Sequence, residues 1–379
     1  MSANRIFRHR SFVLLSCTAI ALSAIAAPAH AITVNLFGTP GVNGTNGAGP
    51  GQSGTNGGAG GDVTATAGPN ADPSNVANAT GGAGGTGGNA GNGPQISAPG
   101  NGGAAGSAAA NAATTVQSGP ASAQATATGG TGGNAGARNT SGSTNPASGG
   151  AGGNASATST ASTGDGSAVA ATATAVGGAG GLGENGGNGG SATATAWGAS
   201  GSGRVDATVV AIGGNGGAVR TSVAGDGGSV SLTNAVGGST TGSLNLSQSA
   251  YGGNGGPLAG FASSTNGGSG GNATSSLSVN DTAASSLSGQ AVAVGGNGAA
   301  GAAPGTMEDP PPLPSICLAW AQSMQPPSLR GERPGVATCL SAVAVLPVQR
   351  MQQPLVQAAD RPASTSWHPR PAAAASANR

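Results

Sequence analysis

Arg204–Gly217 reads RVDATVVAIGGNGG and contains both parts of a unit that recurs along the chain. Its first nine residues alternate at the two-residue period of a β-strand, which predicts one strand face bearing Val205, Ala207, Val209 and Ala211. Its last five residues are Gly-Gly-Asn-Gly-Gly, and glycine and asparagine readily adopt the positive φ angles that tight turns require. The unit is therefore interpreted as a short strand followed by a glycine-rich turn.

This unit is repeated many times. The triplet Gly-Gly-Asn occurs eight times between Gly87 and Asn297. Runs with strand-like alternation occur at 121–128, 168–176, 191–197, 204–212, 218–224, 229–236 and 243–251. Short strands at regular spacing indicate an all-β repeat array. We expect a repetitive glycine-rich parallel β-solenoid, similar to a β-helix, with two or more strands per coil. Backbone hydrogen bonds and asparagine ladders would run along the stack.

Composition divides the chain into regions of different expected order. Glycine makes up 76 of the 379 residues, whereas charged residues make up 6% and aromatic residues 2%. Large apolar residues are scarce before residue 169 and more frequent from there to 305, so a packed core is expected in the later repeats. The sequence thus predicts a low-order Gly/Asn/Ala-rich low-complexity segment at 32–120 and a glycine-rich β-repeat region at 121–305. Disorder is the alternative interpretation, above all for the first half.

The first 31 residues have the layout of a secretory signal peptide. Three arginines precede an apolar run at 11–27, and Ala29 and Ala31 occupy the small-residue positions of an Ala-x-Ala cleavage site. A retained membrane anchor is the alternative, although a spanning helix needs about 20 apolar residues. Cleavage after Ala31 predicts a Sec-exported protein that is secreted or held at the cell surface, with no membrane span after processing.

Residues 306–379 form a proline-rich tail that is expected to be irregular. No Gly-Gly-Asn triplet and no alanine-threonine run occurs in it. The change is abrupt, which also fits a shift of the reading frame near Gly305. Cys317 and Cys339 lie in this tail, and in the oxidising compartment reached by an exported chain they could form a disulfide.

The residue inventory excludes several chemistries. Lysine is absent, and signal cleavage would leave His368 as the sole histidine, so catalytic bases and the four ligands of a structural zinc site are lacking. Residues 32–305 contain three arginines and seven acids, a net charge of −4, which gives no basic surface for nucleic acid. We therefore predict no catalytic, cofactor-binding or metal-binding residues, no enzymatic activity, no cofactor and no nucleic-acid partner.

Pairs of threonines two residues apart are a candidate surface array. On a flat strand they would place hydroxyl and methyl groups at regular intervals on one face, an arrangement that resembles the binding faces of some ice-binding solenoids. The plainer interpretation is that threonine favours exposed strand positions. The candidate binding residues are Thr64, Thr66, Thr126, Thr128, Thr172, Thr174, Thr193 and Thr195.

The glycine blocks resemble the PGRS-type repeats of secreted bacterial surface proteins. These blocks are Gly57–Gly61, Gly81–Gly85, Gly149–Gly153, Gly213–Gly217 and Gly252–Gly256. The strand runs are similar to the passenger regions of autotransporter and filamentous-haemagglutinin-type proteins, and both resemblances are compositional. They imply an exported structural, surface or matrix protein without enzymatic activity, whose partners are cell-envelope or matrix components or other copies of itself. The alternative is a solenoid-type binding module for ice or glycan that uses the Thr-x-Thr strand faces.

Overall fold

The computed structural model describes residues 31–139, 146–259 and 267–299, together with the backbone of two later strands, Cys317–Trp320 and Ala337–Val345. All of these residues belong to one compact unit, Met1–Leu346. Within them every regular element is a β-strand and there is no helix. The prediction of an all-β fold is therefore confirmed.

The strands form two sheets, and the chain alternates between them. Sheet A has the order β1-β3-β5-β7-β9-β12-β14-β15, and sheet B has the order β16-β13-β10-β8-β6-β4-β2, with β11 also paired to β8. Neighbouring strands are parallel except β14 and β15. This arrangement is β-solenoid-like. The strands are β1 (Ile32–Phe37), β2 (Val63–Asn70), β3 (Ser74–Thr80), β4 (Ala108–Val116), β5 (Ala121–Thr128), β6 (Ala155–Thr163), β7 (Val169–Val176), β8 (Ala192–Ala199), β9 (Val205–Ile212), β10 (Val230–Thr233), β11 (Val236–Ser239), β12 (Ser243–Tyr251), β13 (Ala273–Asn280), β14 (Ser286–Val294), β15 (Cys317–Trp320) and β16 (Ala337–Val345).

One circuit of the chain is termed a rung. A rung contains a sheet A strand, two glycine-rich segments and a sheet B strand. The outgoing segment follows the sheet A strand, and the return segment leads back to the sheet B strand. Rung 1 spans residues 32–70, rung 2 spans 74–116, rung 3 spans 121–163, rung 4 spans 169–199, rung 5 spans 205–239 and rung 6 spans 243–280, while rung 7 begins at 286. Equivalent residues of successive rungs pair in register, so that Ala77 pairs with Ala125 and Ala125 with Ala173. Like side chains therefore form rows across each sheet.

Rows of alanine fill the space between the two sheets. Ala110 of sheet B and Ala125 and Ala173 of sheet A are fully buried. In β9, the predicted strand face from Val205 to Ala211 at every second residue is likewise buried. Each buried methylene-sized group contributes only about 0.8 kcal/mol, so the core depends on many small contacts repeated from rung to rung.

Larger core residues lie opposite glycines of the other sheet. Val205 in β9 and Leu244 in β12 are fully buried. A Cβ atom added to Gly198 of β8 would lie 2.6 Å from Cγ1 of Val205, and one added to Gly238 of β11 would lie 2.8 Å from Cδ1 of Leu244. Because protein interiors are close-packed, a glycine in one sheet compensates for the larger side chain in the other.

The glycine-rich segments form two layers joined by backbone hydrogen bonds. In the outgoing segment of rung 2, every third N–H from Gly81 donates to the outgoing segment of rung 3. Every third N–H from Gly82 donates to the return segment of rung 1, and every third carbonyl from Ala83 accepts from the outgoing segment of rung 1. Bonding directions that repeat every three residues match a polyproline II helix, which has three residues per turn and no internal hydrogen bonds.

Glycine is required in these layers because neighbouring backbones approach closely. A Cβ atom added to Gly133 would lie 2.7 Å from the carbonyl carbon of Gly85 and 2.9 Å from the nitrogen of Gly103. The third residue of the triplet, Asn134, is exposed, and its Oδ1 accepts a hydrogen bond of 2.8 Å from the N–H of Leu182 in rung 4. In Gly-Gly-Asn, two glycines thus permit backbone contact while the asparagine side chain bonds to the next rung.

The extended layers differ from the turns that the sequence predicts for these blocks. Among the described glycines, positive φ angles occur only at Gly51, Gly68, Gly93 and Gly119. The Gly-Gly-Asn blocks are extended because their N–H and C=O groups bond to neighbouring segments, which removes the need for bonds within a turn.

Residues 32–120 also differ from the low order expected of them. Strands β1 to β4 lie in this segment, and they pair with their neighbours in the same parallel register as the later strands. Large apolar side chains are unnecessary here because the gap between the sheets matches alanine and the glycine layers are held by backbone bonds.

Rung 5 departs from the regular pattern in sheet B. Its strand is divided into β10 and β11, and Asn234 between them has a φ of 48°. Gln248 of β12 is fully buried and bridges the gap. Its Oε1 accepts from the N–H of Ala235 at 2.9 Å, and its Nε2 donates to Oγ of Ser275 at 3.0 Å. A polar side chain of sheet A therefore replaces the strand bonds that sheet B lacks at this point.

Candidate binding surface

The outer face of sheet B carries small hydroxyl and amide side chains in two in-register rows, here termed the hydroxyl grid. The first row contains Thr64, Ser156 and Thr193, and it is interrupted by Ala109 between Thr64 and Ser156. The second row contains Thr66, Asn111, Thr158 and Thr195. Neighbouring strands in a sheet lie about 4.8 Å apart, so the grid repeats at that interval along the stack. Every polar group in these rows is neutral.

Hydroxyl groups in the grid contact one another between rungs. The Oγ1 atoms of Thr195 and Thr158 are 3.5 Å apart. Farther along the same face, Oγ1 of Thr274 donates to Oγ of Ser231 at 2.8 Å. A hydroxyl group can donate one bond and accept others, so these exposed side chains keep capacity for an external ligand.

The eight threonines of the candidate array are divided between two outer faces. Thr64, Thr66, Thr193 and Thr195 lie on sheet B and are exposed. Thr126, Thr128, Thr172 and Thr174 lie on the outer face of sheet A and are half-buried. On sheet A, Thr126 pairs with Thr174, whereas Thr128 pairs with Val176 and Thr172 with Gln124. The structure thus brings four of the predicted residues together on each of two separate faces.

Trp197 adds an exposed aromatic ring to the hydroxyl grid. The sequence places it on the same strand face as Thr193 and Thr195, and the burial pattern of β8 confirms this. The residue is 49% exposed and pairs with Thr160 on one side and Gly237 on the other. A Cβ atom added to Gly237 would lie 2.5 Å from Cε3 of the indole, so the ring lies against the glycine backbone.

A shallow groove of about 160 Å³ lies beside this ring. Thr158, Thr160, Thr195 and Asn234 contribute its polar side chains, and none of the described residues that line it is charged. The left-handed backbone of Asn234 is one that asparagine adopts more readily than most residues, and its Oδ1 accepts from the N–H of Ser278 at 2.7 Å. The groove therefore combines an apolar ring with neutral hydrogen-bonding groups. In the sequence, this groove is indicated by the dipeptide Gly237-Gly238, which lies one rung after the outward-facing Trp197.

Asparagines form ladders on the outer faces of the glycine layers. Oδ1 of Asn46 accepts from the N–H of Asn89 at 2.8 Å, and Oδ1 of Asn89 accepts from Ala137 at 2.8 Å. Asn215 and Asn254 repeat the pattern in rungs 5 and 6. The predicted asparagine ladders are confirmed, although they lie in extended segments and not in turns.

Charged side chains have local structural partners. Glu184 is buried, lies 2.9 Å from Nη2 of Arg138 and accepts a hydrogen bond from the hydroxyl of Thr221. Asp165, between β6 and β7, accepts hydrogen bonds of 2.8 Å from the N–H groups of Gly119 and Ser167. These bonds, the one from Gly119 above all, lower the pKa of Asp165 to about 2 because they favour the ionised carboxylate.

The described residues hold neither a cluster of metal ligands nor a membrane-spanning helix. In that part of the chain, no three His, Cys, Asp or Glu side chains are grouped so that they could hold a metal ion. The described residues also include no helix of the length and apolar character needed to cross a membrane.

Several predicted features lie outside the described residues. The predicted signal peptide, residues 1–31, lies outside them with Ala29, except for Ala31, which is the first described position. The backbone of Cys317 lies in β15 of sheet A, and that of Cys339 lies in β16 of sheet B. Their side chains, and with them the predicted disulfide, are outside the described part of the structure. The prolines of the tail and the proposed frame shift near Gly305 fall there too.

Comparisons with known proteins identify no relative. No protein-family model matches the chain, and no curated protein matches it. Among solved structures, the chain shows a faint similarity to a springtail antifreeze protein from Granisotoma rainieri, described as a bundle of nine polyproline type II helices whose crystal waters match the ice lattice. That alignment has 21% identity, covers 53% of this chain and 94% of the other, and has a TM-score of 0.08. A likeness at this level supports neither a shared fold nor a shared function, so the chain is assigned to no family.

Proposed function

We propose that this chain is an exported parallel β-solenoid that serves as a structural component of a bacterial cell surface or extracellular matrix, without enzymatic activity. The observation that carries the proposal is the bonding of the glycine layers from rung to rung, chiefly between backbone groups, with asparagine side chains adding further bonds. Because such bonds do not depend on a large apolar core, the stack can present small neutral side chains on its faces. Such faces suit repeated weak contacts with envelope or matrix components, or between copies lying side by side.

Export is the part of this proposal that rests on the sequence of residues 1–31. The test is expression of the full chain in a bacterial host, with Ala31→Arg as the control because a large charged residue blocks an Ala-x-Ala cleavage site. We expect mass spectrometry of the wild-type chain to give an N-terminus at Ile32, and antibodies to label intact cells or their matrix. The control should keep its first 31 residues. A wild-type chain that is processed but found only inside the envelope would refute the structural role, and one that is never processed would refute export.

A second function, the binding of a neutral glycan, is favoured by the exposed ring of Trp197 beside the hydroxyl grid. A sugar ring presents an apolar face of C–H groups and a rim of hydroxyls, so it matches an indole flanked by hydroxyl and amide side chains. The uncharged lining of the groove favours neutral over charged polysaccharides. Ice is the other ligand to which a regular hydroxyl face could bind, and the aromatic ring favours the glycan.

Binding of the full chain to insoluble neutral polysaccharides tests this second function. Trp197→Ala removes the ring, and Tyr251→Ala, at an outward position of sheet A, is the matched control. A stacked aromatic contributes about 0.5–1.5 kcal/mol, so Trp197→Ala should weaken binding about two- to tenfold while the control retains wild-type affinity. Equal binding by both variants would rule out the groove. Thermal hysteresis without polysaccharide binding would instead identify ice as the ligand.

A further inference from the structure

The first rung carries side chains at two positions that are glycine in the rungs stacked after it. The N–H of Gly41 donates to the carbonyl of Ala83, which aligns Thr39 with Gly82 and Val42 with Gly85. A Cβ atom added at any of these later glycines would meet a backbone carbonyl of the preceding rung. The equivalents of Thr39 and Val42 in rungs 2 to 6 are Gly82 and Gly85, Gly130 and Gly133, Gly178 and Gly181, Gly214 and Gly217, and Gly253 and Gly256.

Thr39 and Val42 occupy space that a preceding rung would need. Val42 is 80% exposed, and Thr39 is exposed as well. At the same position one rung later, a Cβ atom on Gly85 would lie 2.6 Å from the carbonyl carbon of Val42. A further rung placed against rung 1 at this spacing would therefore overlap the side chain of Val42, because ordinary contact begins at about 3.5 Å between carbon atoms.

A hydroxyl group in rung 1 also takes the place of a missing backbone acceptor. In rung 2, the N–H of Gly88 donates to the carbonyl of Thr55 in rung 1 at 2.8 Å. The equivalent of Gly88 in rung 1 is Thr45, and no earlier rung occurs in the described chain. The N–H of Thr45 instead donates to Oγ1 of Thr55 at 2.7 Å. An amide that elsewhere joins two rungs is thus satisfied within rung 1 itself.

We propose that rung 1 is a built-in cap that prevents a second copy of the chain from stacking on this end through its glycine layers. Strands β1 and β2 each have one neighbour in the described part of the sheets, and free strand edges recruit other strands. Strand and glycine segments belong to the same rung, so the side chains of Thr39, Val42 and Thr45 block the whole rung and protect both edges. Stacked repeats require such a terminal unit to stay soluble. The cap directs any self-association to the lateral faces.

Moving the cap side chains one rung inward tests the geometry. Gly85→Val should separate rung 1 from rung 2, and Thr86→Val is the matched control because Thr86 lies beside Gly85 and is exposed. Hydrogen exchange of the full chain is the measurement. In Gly85→Val, amides of residues 38–61 should exchange at least about tenfold faster, while those of rungs 4 and 5 and all amides of the control stay as in the wild type. Wild-type protection of residues 38–61 in Gly85→Val would overturn the proposal.

Removing the cap tests its role. A variant with Thr39→Gly, Val42→Gly, Thr45→Gly and Thr55→Gly opens the end of the stack. Sedimentation velocity over a range of concentrations should show larger species for this variant than for the wild-type chain at the same concentration. Association should disappear when the same four substitutions are combined with Gly85→Val, since rung 1 is then detached. A variant that sediments like the wild type at every concentration would overturn the proposal.

Discussion

Replacing Gly133 by alanine is expected to break the contact between three neighbouring glycine segments. The new Cβ atom would lie 2.7 Å from the carbonyl carbon of Gly85 and 2.9 Å from the nitrogen of Gly103, and no side chain is present that could move aside. Ordinary contact between carbon atoms begins at about 3.5 Å, so the segments that contain Gly85 and Gly133 must separate by at least about 0.8 Å. The bond from the N–H of Gly84 to the carbonyl of Thr131, now 2.9 Å, joins these two segments and would lengthen to about 3.7 Å, which is beyond hydrogen-bond range.

The expected loss follows from these displacements. Bonds from Gly87 to Asn134 and from Gly133 to Gly103 join the same three segments and would weaken with it. Three bonds at about 1 kcal/mol each, together with about 1–3 kcal/mol of overpacking, give an expected loss of about 4–6 kcal/mol. The entropic gain of alanine over glycine in the unfolded chain, about 0.4–1 kcal/mol, offsets little of it.

Hydrogen exchange and denaturant unfolding of the full chain measure this loss. Exchange reports the local effect, because long repeat arrays need not unfold in one step. Gly49→Ala is the matched control, since a Cβ atom there meets nothing within 4 Å. We expect faster exchange around residues 130–136 and a lower unfolding midpoint for Gly133→Ala alone. If the two variants unfolded within about 0.5 kcal/mol of each other, close backbone packing could not be the reason for glycine in these layers.

Three further substitutions probe other parts of the stack. Gln248→Ala leaves the buried N–H of Ala235 without its acceptor and opens a cavity. Thermal melts should show a loss of about 2–4 kcal/mol in the free energy of unfolding, and a wild-type melting temperature would contradict this prediction. The pKa of Asp165 is about 2 in the folded chain against its ordinary 3.8, so its carboxylate stabilises the fold above pH 3.8 and this contribution is lost as the pH falls towards 2. Asp165→Asn should therefore flatten the acid limb of a pH titration followed by circular dichroism, and an unchanged limb would refute the link. Asn101→Ala removes the acceptor of the Ser148 N–H at an exposed site, where water can replace it. The free energy of unfolding in urea should therefore fall by less than about 1 kcal/mol. A larger loss would mean that water does not replace the asparagine bond.

Several strands could be predicted from the sequence because β-structure has a local signature, whereas the run predicted at 218–224 contains no strand and lies between β9 and β10. Alternation in β8 and β9 identifies which residues point into the core, and the burial of Ala194 and Val209 agrees with it. The position of Trp197 beside Thr195 followed from the same period of two. The division of the threonine array between two faces could not be predicted, because strands of sheet A and sheet B have similar sequences and only the path of the chain separates them.

Period-two alternation and the abundance of glycine are properties of the sequence by itself, and they determined an all-β repeat with a small-residue core. The conformation of the Gly-Gly-Asn blocks was decided only by tertiary structure. An extended segment with three residues per turn makes no internal hydrogen bonds, so nothing local distinguishes it from a turn or from disordered chain. Its bonds go to segments in neighbouring rungs; the amide of Thr86, for example, is bonded to Asn43, 43 residues away. Glycine is needed there because those distant backbones come into contact, and that contact exists only after the rungs have stacked.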